Sequence, residues 1–175
     1  ENNTFNITVP SIPSDLEQVG DNWVRHSYTE GLVFNECNFS KVVNNEIALC
    51  YDDGDSGSIY VIDVLDCDNF VIEHNEIDAA GEDYICGIIV EGDKFAISQN
   101  NISVESEYHT CGIDIEESTE GMIDGNVIYA GSSGISYPIY VGATGEPSVE
   151  ITNNTLVASS YFIVGVESSG KEATI

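Results

Sequence analysis

Basic residues are almost absent: the 175-residue chain has 4 Lys+Arg against 31 Asp+Glu, a formal net charge of −27. That deficit excludes a nucleic-acid binder, because phosphates and a uniformly acidic surface repel one another. Docking on anionic lipid is excluded on the same ground. No run of eighteen apolar residues exists, so no apolar helix spans a bilayer and no membrane insertion is expected. No stretch keeps a 3.6-residue apolar period over ten residues, which argues against helical repeats. A basic-then-apolar leader and a starting Met are missing, so the expectation is a mature product or an excised domain. No CxxC pair occurs, which disfavours zinc-ribbon and thioredoxin-type chemistry.

What is present is apolar and short-ranged. Hydrophobic residues make up 42% and charged residues 20%, with 16 Gly. This length is one domain's worth of chain, with enough Ile, Val, Tyr and Phe to fill a core despite the charge. The apolar residues are periodic at the scale of an internal repeat. An Asn followed two residues later by an aliphatic recurs at Asn45, Asn75, Asn100, Asn126 and Asn154. Three positions before these stand Val42, Ile72, Ile97, Ile123 and Ile151. A second short strand recurs as Leu32-Val33-Phe34, Ile62-Asp63-Val64, Ile88-Ile89-Val90, Ile113-Asp114-Ile115, Ile139-Tyr140-Val141 and Val164-Gly165-Val166.

Three-to-five-residue apolar alternations broken by Gly, Asp, Asn and Ser clusters read as strands and corners. A unit of this length is one coil of a β-solenoid, so the fold class is an all-β parallel β-helix of about five coils. The crossover preference makes it right-handed. Stacked coils bring equivalent residues within about 4.8 Å, so the Asn column is expected to form a structural ladder of side-chain amides. The alternative is that these Asn merely start turns.

The units Phe70-Val71-Ile72-Glu73-His74-Asn75-Glu76-Ile77 and Phe95-Ala96-Ile97-Ser98-Gln99-Asn100-Asn101-Ile102 resemble parallel β-helix repeats of the pectate-lyase-like and NosD-like kind. The likeness covers roughly residues 32–166. It implies a surface protein such as the adhesin-like and sheath proteins of methanogenic archaea. The same superfamily also includes lyases, hydrolases and tailspikes.

Residues 1–31 are expected to be an N-terminal segment and residues 32–175 the solenoid. In the former, Phe5, Ile7 and Val9 alternate as a strand with no local partner, expected to add to a neighbouring molecule. Ser14-Asp15-Leu16-Glu17 has the spacing of a capping box, so a short helix over the first coil is expected. No lid is legible after Val166. An uncovered coil exposes apolar side chains and unpaired backbone, a template for another chain.

Cys37 and Cys67 fall at equivalent places on adjacent coils, as do Cys86 and Cys111. The expected rung spacing of about 4.8 Å lies inside the disulfide Cα range of about 4.4–6.8 Å. Both pairs are therefore disulfide candidates, with stacked free thiols as the alternative. Cys50 is left over, for an intermolecular bond or a free thiol. Sequons at Asn2, Asn6, Asn38, Asn101 and Asn153 are glycosylation candidates compatible with an extracellular or cell-envelope location. Asp52, Asp53 and Asp55 around Gly54 are the best cluster for Ca²⁺, the one cofactor the composition brings to mind. Their spacing departs from the EF-hand loop.

An enzyme is not expected. The cations Arg25, Lys41, Lys94 and Lys171 lie apart from any acidic cluster a lyase would use. His26, His74 and His109 are scattered, and no catalytic motif is present. A binding module would use outward aromatics, with Tyr137, Tyr140 and Tyr161 as candidates for stacking on glycans. The outward slot of the second strand reads Asp63, Ile89, Asp114, Tyr140 and Gly165, in which Ile89 is expected to be an exposed protein contact. The favoured expectation is an extracellular structural protein that assembles with itself into a sheath, surface layer or fibre. An adhesin or carbohydrate-binding module is the alternative, and a polysaccharide lyase or hydrolase comes last.

Overall fold

The computed structural model describes residues 4–9, 16–19, 22–25, 28–37, 39–51, 57–116, 118, 120–142, 148–168 and 173–174. It is a β-solenoid of about five turns, with no helix among these residues. The strands are β1 (Thr4–Val9), β2 (Leu16–Val19), β3 (Asn22–Arg25), β4 (Tyr28–Asn35), β5 (Lys41–Val43), β6 (Glu46–Tyr51) and β7 (Ser58–Leu65). They continue with β8 (Val71–Glu73), β9 (Glu76–Ala80), β10 (Tyr84–Glu91), β11 (Phe95–Ser98), β12 (Asn101–Ser106), β13 (His109–Glu116) and β14 (Glu120–Asp124). The last are β15 (Val127–Ser132), β16 (Ile135–Val141), β17 (Ser148–Thr152), β18 (Thr155–Ser159), β19 (Phe162–Ile163), β20 (Val166–Ser168) and β21 (Ala173–Thr174).

Each coil gives one strand to each of three parallel sheets. Sheet one runs β1-β6-β9-β12-β15-β18, sheet two β19-β16-β13-β10-β7-β4 with β20 also on β16, and sheet three β21-β17-β14-β11-β8-β5. Inward aliphatics from all three meet in one core, with Ile47, Ile77, Ile102 and Ile128 stacked from sheet one and Ile72, Ile97 and Ile123 from sheet three.

The corners differ in kind. Every coil passes from sheet three to sheet one through two residues, of which the second is a ladder Asn. The first is left-handed in all five: Asn44, His74, Gln99, Gly125 and Asn153 have φ of 57, 56, 55, 65 and 54°. That conformation reverses the chain at once, at a steric cost for every residue except glycine. The other two corners vary in length from coil to coil and absorb the unequal spacing of the repeats.

Sheet two bends in mid-strand. Its register passes over Gly31, Gly87 and Gly112, and a Cβ at Gly112 would lie 2.4 Å from Ile128 Cγ2 and 2.6 Å from the Pro138 carbonyl oxygen. Glycine is needed there because adjacent backbone approaches too closely for any side chain.

Three expectations, on strand β1, on Leu16–Val19 and on the register of the last coil, are corrected. Strand β1 is not an orphan: it pairs in parallel with β6, Thr4 opposite Glu46 through Val9 opposite Tyr51, and so occupies a sheet-one slot of its own chain. The period-two alternation identified the strand, but its partner lies some forty residues along the chain and is invisible to local reading. Leu16–Val19 is not helical. It forms an antiparallel hairpin with β3, Leu16 opposite Arg25. The β-branched and aromatic residues of Asn22–Arg25 outweigh the capping-box spacing. Third, Val166 rather than Val164 lies opposite Ile139, which puts Glu167, not Gly165, beside Tyr140.

Candidate functional site: an aromatic and thiol groove on sheet two

The asparagine corner is a continuous hydrogen-bonded spine. Nδ2 of Asn45, Asn75, Asn100 and Asn126 donates to Oδ1 of the next ladder Asn at 2.9, 2.9, 3.0 and 3.0 Å. The backbone N–H of each donates to that same oxygen. The second amide proton of Asn75, Asn100, Asn126 and Asn154 goes to the carbonyls of Val42, Ile72, Ile97 and Ile123. Asn45 to Asn126 are buried. An amide suits this column because it donates twice and accepts twice, so it satisfies its neighbours and the corner backbone together.

The cluster with chemical potential lies elsewhere, on the outer face of sheet two. Two outward columns stand side by side there. One stacks Tyr60, Cys86, Cys111 and Tyr137, and the other Asp63, Ile89, Asp114, Tyr140 and Glu167. Cys86, Ile89 and Cys111 are buried beneath Tyr60, Tyr84, Tyr137 and Tyr140 in a second, smaller core. Ile89, expected to be exposed, is therefore covered, and its rung neighbours are Asp63 and Asp114 rather than Tyr140. Tyr60 and Tyr84 have ring centroids 6.0 Å apart, and Tyr137 and Tyr140 meet edge-to-face at 5.7 Å. Tyr84, Cys111, Asp114, Tyr137, Tyr140 and Glu167 line a cavity of about 260 Å³.

Its electrostatics are unusual for so acidic a protein. Asp114 is 6% exposed. The Tyr84 hydroxyl donates to Asp114 Oδ2 at 3.2 Å, while Asp114 Oδ1 is buried with no hydrogen-bond partner. Burial, reinforced by Glu116, pushes the Asp114 carboxyl up to about 6, against the opposing pull of the Tyr84 hydrogen bond. Burial first, then Cys86 beside it, then Asp114, pushes the Cys111 thiol well above its usual range. Tyr84 and Tyr60 are raised by burial and then by Cys86. Each thiol donates to a carbonyl of its own strand, Cys86 Sγ to Ile88 and Cys111 Sγ to Ile113, both at 3.3 Å. The Cys111 thiol, so desolvated, is kept neutral and is not an activated nucleophile.

The remaining candidate residues are dispersed. Cys37, Cys67, Cys86 and Cys111 are all free thiols, so neither expected disulfide is formed. Cys86 and Cys111 are rung neighbours, and Cys37 donates its backbone N–H to Cys67 Sγ at 3.0 Å. In-register parallel strands leave the side chains pointing the same way, which hinders the near-perpendicular disulfide torsion. Cys50 lies in β6 between Thr8 and Ala80. Among the sequons, Asn101 and Asn153 are exposed, and Asn153 Nδ2 already donates to Asp124 Oδ1 at 2.8 Å. Asn6 lies in β1, and Asn2 and Asn38 lie outside the described residues. So do Asp52, Asp53 and Asp55. Tyr161 is 81% exposed on the last coil, away from the groove, and packs edge-to-face on Phe162.

No described helix is long and apolar enough to cross a membrane. No family model matches the chain, and no curated protein or solved structure matches it. The resemblance to pectate-lyase-like and NosD-like repeats thus extends to the parallel coil and to nothing finer.

Proposed function

We infer that the chain is a structural solenoid of an extracellular envelope layer, sheath or fibre, and that it assembles with copies of itself. One observation carries this reading. Ile163 sits in the inward column of Ile59, Ile85, Thr110 and Ser136, all at most 1% exposed, yet is itself 56% exposed. Leu156 and Ala158 likewise stand half-covered in columns whose earlier members are buried. Among the described residues the final coil is open. The strands ending the stack there, β18, β19 with β20, and β21, belong to the same three parallel sheets that begin at β1, β4 and β5. A second copy added head to tail continues all three sheets with one polarity, which favours another coil over an unrelated partner.

Because β1 is used within the chain, assembly rests on the open coil and not on an exchanged strand. Sedimentation velocity and electron microscopy test it. Ile163→Glu should leave the circular dichroism intact and abolish end-to-end oligomers. A parent chain that stays monomeric at high concentration refutes the reading, as do oligomers unaffected by Ile163→Glu.

A second reading, a carbohydrate-binding module, draws support from the groove, which Tyr137 and Tyr140 line beside Glu167 and Asp114. Glycan-array binding lost in a Tyr137→Ala, Tyr140→Ala double variant would favour it. Absence of any glycan signal would remove it.

A further inference from the structure

We propose that Cys86, Cys111 and Asp114 form a binding site for a zinc-class metal ion, with an open fourth position facing the sheet-two groove. The two sulfurs and a carboxylate oxygen all lie within 4.8 Å of one another, and all three residues are buried. Ligand atoms around tetrahedral zinc are about 3.8 Å apart when the Zn–S bonds are about 2.3 Å. Side-chain rotations that draw the three together by at most about 1 Å complete the set.

The topology explains why these residues converge. Cys86 and Cys111 are rung neighbours on β10 and β13, so their side chains leave the sheet in the same direction. Asp114 stands three residues beyond Cys111 in the same strand, across the Gly112 bend, and in the adjoining outward column.

The second, independent observation is the unused oxygen of Asp114. Oδ2 takes the Tyr84 hydroxyl, and Oδ1 is buried without a partner. A buried carboxylate oxygen left bare is costly, because burial strips it of water without supplying a donor. A cation held between it and the sulfurs supplies the missing partner. The Tyr84 hydrogen bond then fixes the carboxylate's orientation, as carboxylate ligands in metal sites are commonly fixed.

The donor set decides the ion. Two sulfurs and one oxygen suit Zn²⁺ and its spectroscopic substitute Co²⁺, whereas Ca²⁺ and Mg²⁺ require oxygen shells. On binding, both thiol protons leave to solvent and two Cys86/Cys111 thiolates coordinate the ion. Three protein ligands leave the fourth position to water or an incoming oxygen ligand, toward the cavity walled by Tyr137, Tyr140 and Glu167. This site is independent of whether the chain polymerises.

The test uses the full chain, reduced, stripped with a chelator and handled anaerobically. Added Co²⁺ should bind at one equivalent with thiolate-to-cobalt charge-transfer absorption, and Zn²⁺ should displace it. Cys86→Ser and Cys111→Ser should each abolish the charge-transfer band. Asp114→Asn should keep a weakened band with at least tenfold lower affinity, and Cys37→Ser should change nothing. X-ray absorption on the zinc-loaded parent, which needs no variant to fold, should show two sulfur scatterers with oxygen or nitrogen completing the shell. The proposal is overturned if the parent gives no band, if the band survives in Cys86→Ser or Cys111→Ser, or if only oxygen scatterers surround the ion. Unchanged affinity in Asp114→Asn also overturns it.

Discussion

Replacing one interior rung of the asparagine spine should cost far more than replacing the last. In Asn100→Ala, the buried backbone N–H of Asn75 loses its acceptor at 2.9 Å, and the Ile72 carbonyl loses its donor at 2.9 Å. The rest of the corner survives. Asn75 Nδ2 keeps the carbonyls of Val42 and Glu73, and Asn126 Oδ1 keeps the backbone N–H of residue 100. Two stranded buried groups at roughly 1–3 kcal/mol each give a loss of about 2–6 kcal/mol. That is a large share of the roughly 5–15 kcal/mol that holds a domain folded. Asn154 forms the same bonds, but it is half-exposed, so water replaces what Asn154→Ala removes. Its cost should be about 1 kcal/mol. Urea unfolding followed by far-ultraviolet circular dichroism measures both, with an unchanged m-value confirming that the same structure unfolds. If Asn100→Ala costs under about 1 kcal/mol, or Asn154→Ala costs as much as Asn100→Ala, the spine does not stabilise the stack as argued.

Three other outcomes follow from the same geometry. Gly112→Val should destabilise by at least about 3 kcal/mol or prevent folding, since its Cβ meets Ile128 and the Pro138 carbonyl; a soluble variant with parental midpoint would contradict this. In metal-free protein, the Asp114 carboxyl is raised from 3.8 to about 6, so its stability contribution is complete below about pH 4 and is lost as pH rises through about 6. Asp114→Asn should therefore stabilise the chelator-treated chain at pH 7 by up to about 3 kcal/mol and make no difference at pH 4, as read from denaturation midpoints at both pH values. At the left-handed corner, His74→Val should cost at least about 1 kcal/mol, whereas His74→Gly should be neutral or gain up to about 1 kcal/mol; equal effects in thermal melts would remove the strain argument.

The repeat was legible because it is written in side chains that must match vertically. Ile72, Ile97 and Ile123 share a rung position, and the ladder Asn at fixed offset shares another, so spacing alone places sheets one and three. The groove was less legible. Tyr60-Val61-Ile62-Asp63-Val64, Cys86-Gly87-Ile88-Ile89-Val90, Cys111-Gly112-Ile113-Asp114-Ile115 and Tyr137-Pro138-Ile139-Tyr140-Val141 align without gaps. That alignment was the available signal for two adjoining outward columns. It was obscured because strict alternation fails at the Gly bend, so Cys and Asp three residues apart do not read as sharing a face. The partner of β1 was beyond reach for another reason: parallel pairing across a long connection leaves no local trace, unlike a hairpin turn. The register of the last coil slipped for want of a following coil to compare it with.

The two-residue Asn corner has a consequence for variation in the chain. It tolerates neither insertion nor deletion, because one added residue would displace an amide from its rung. The other two corners already differ in span from coil to coil. They are therefore places where foreign peptides could be grafted as regularly spaced displays along one shaft, with the amide spine as the ruler that keeps successive grafts at a fixed pitch.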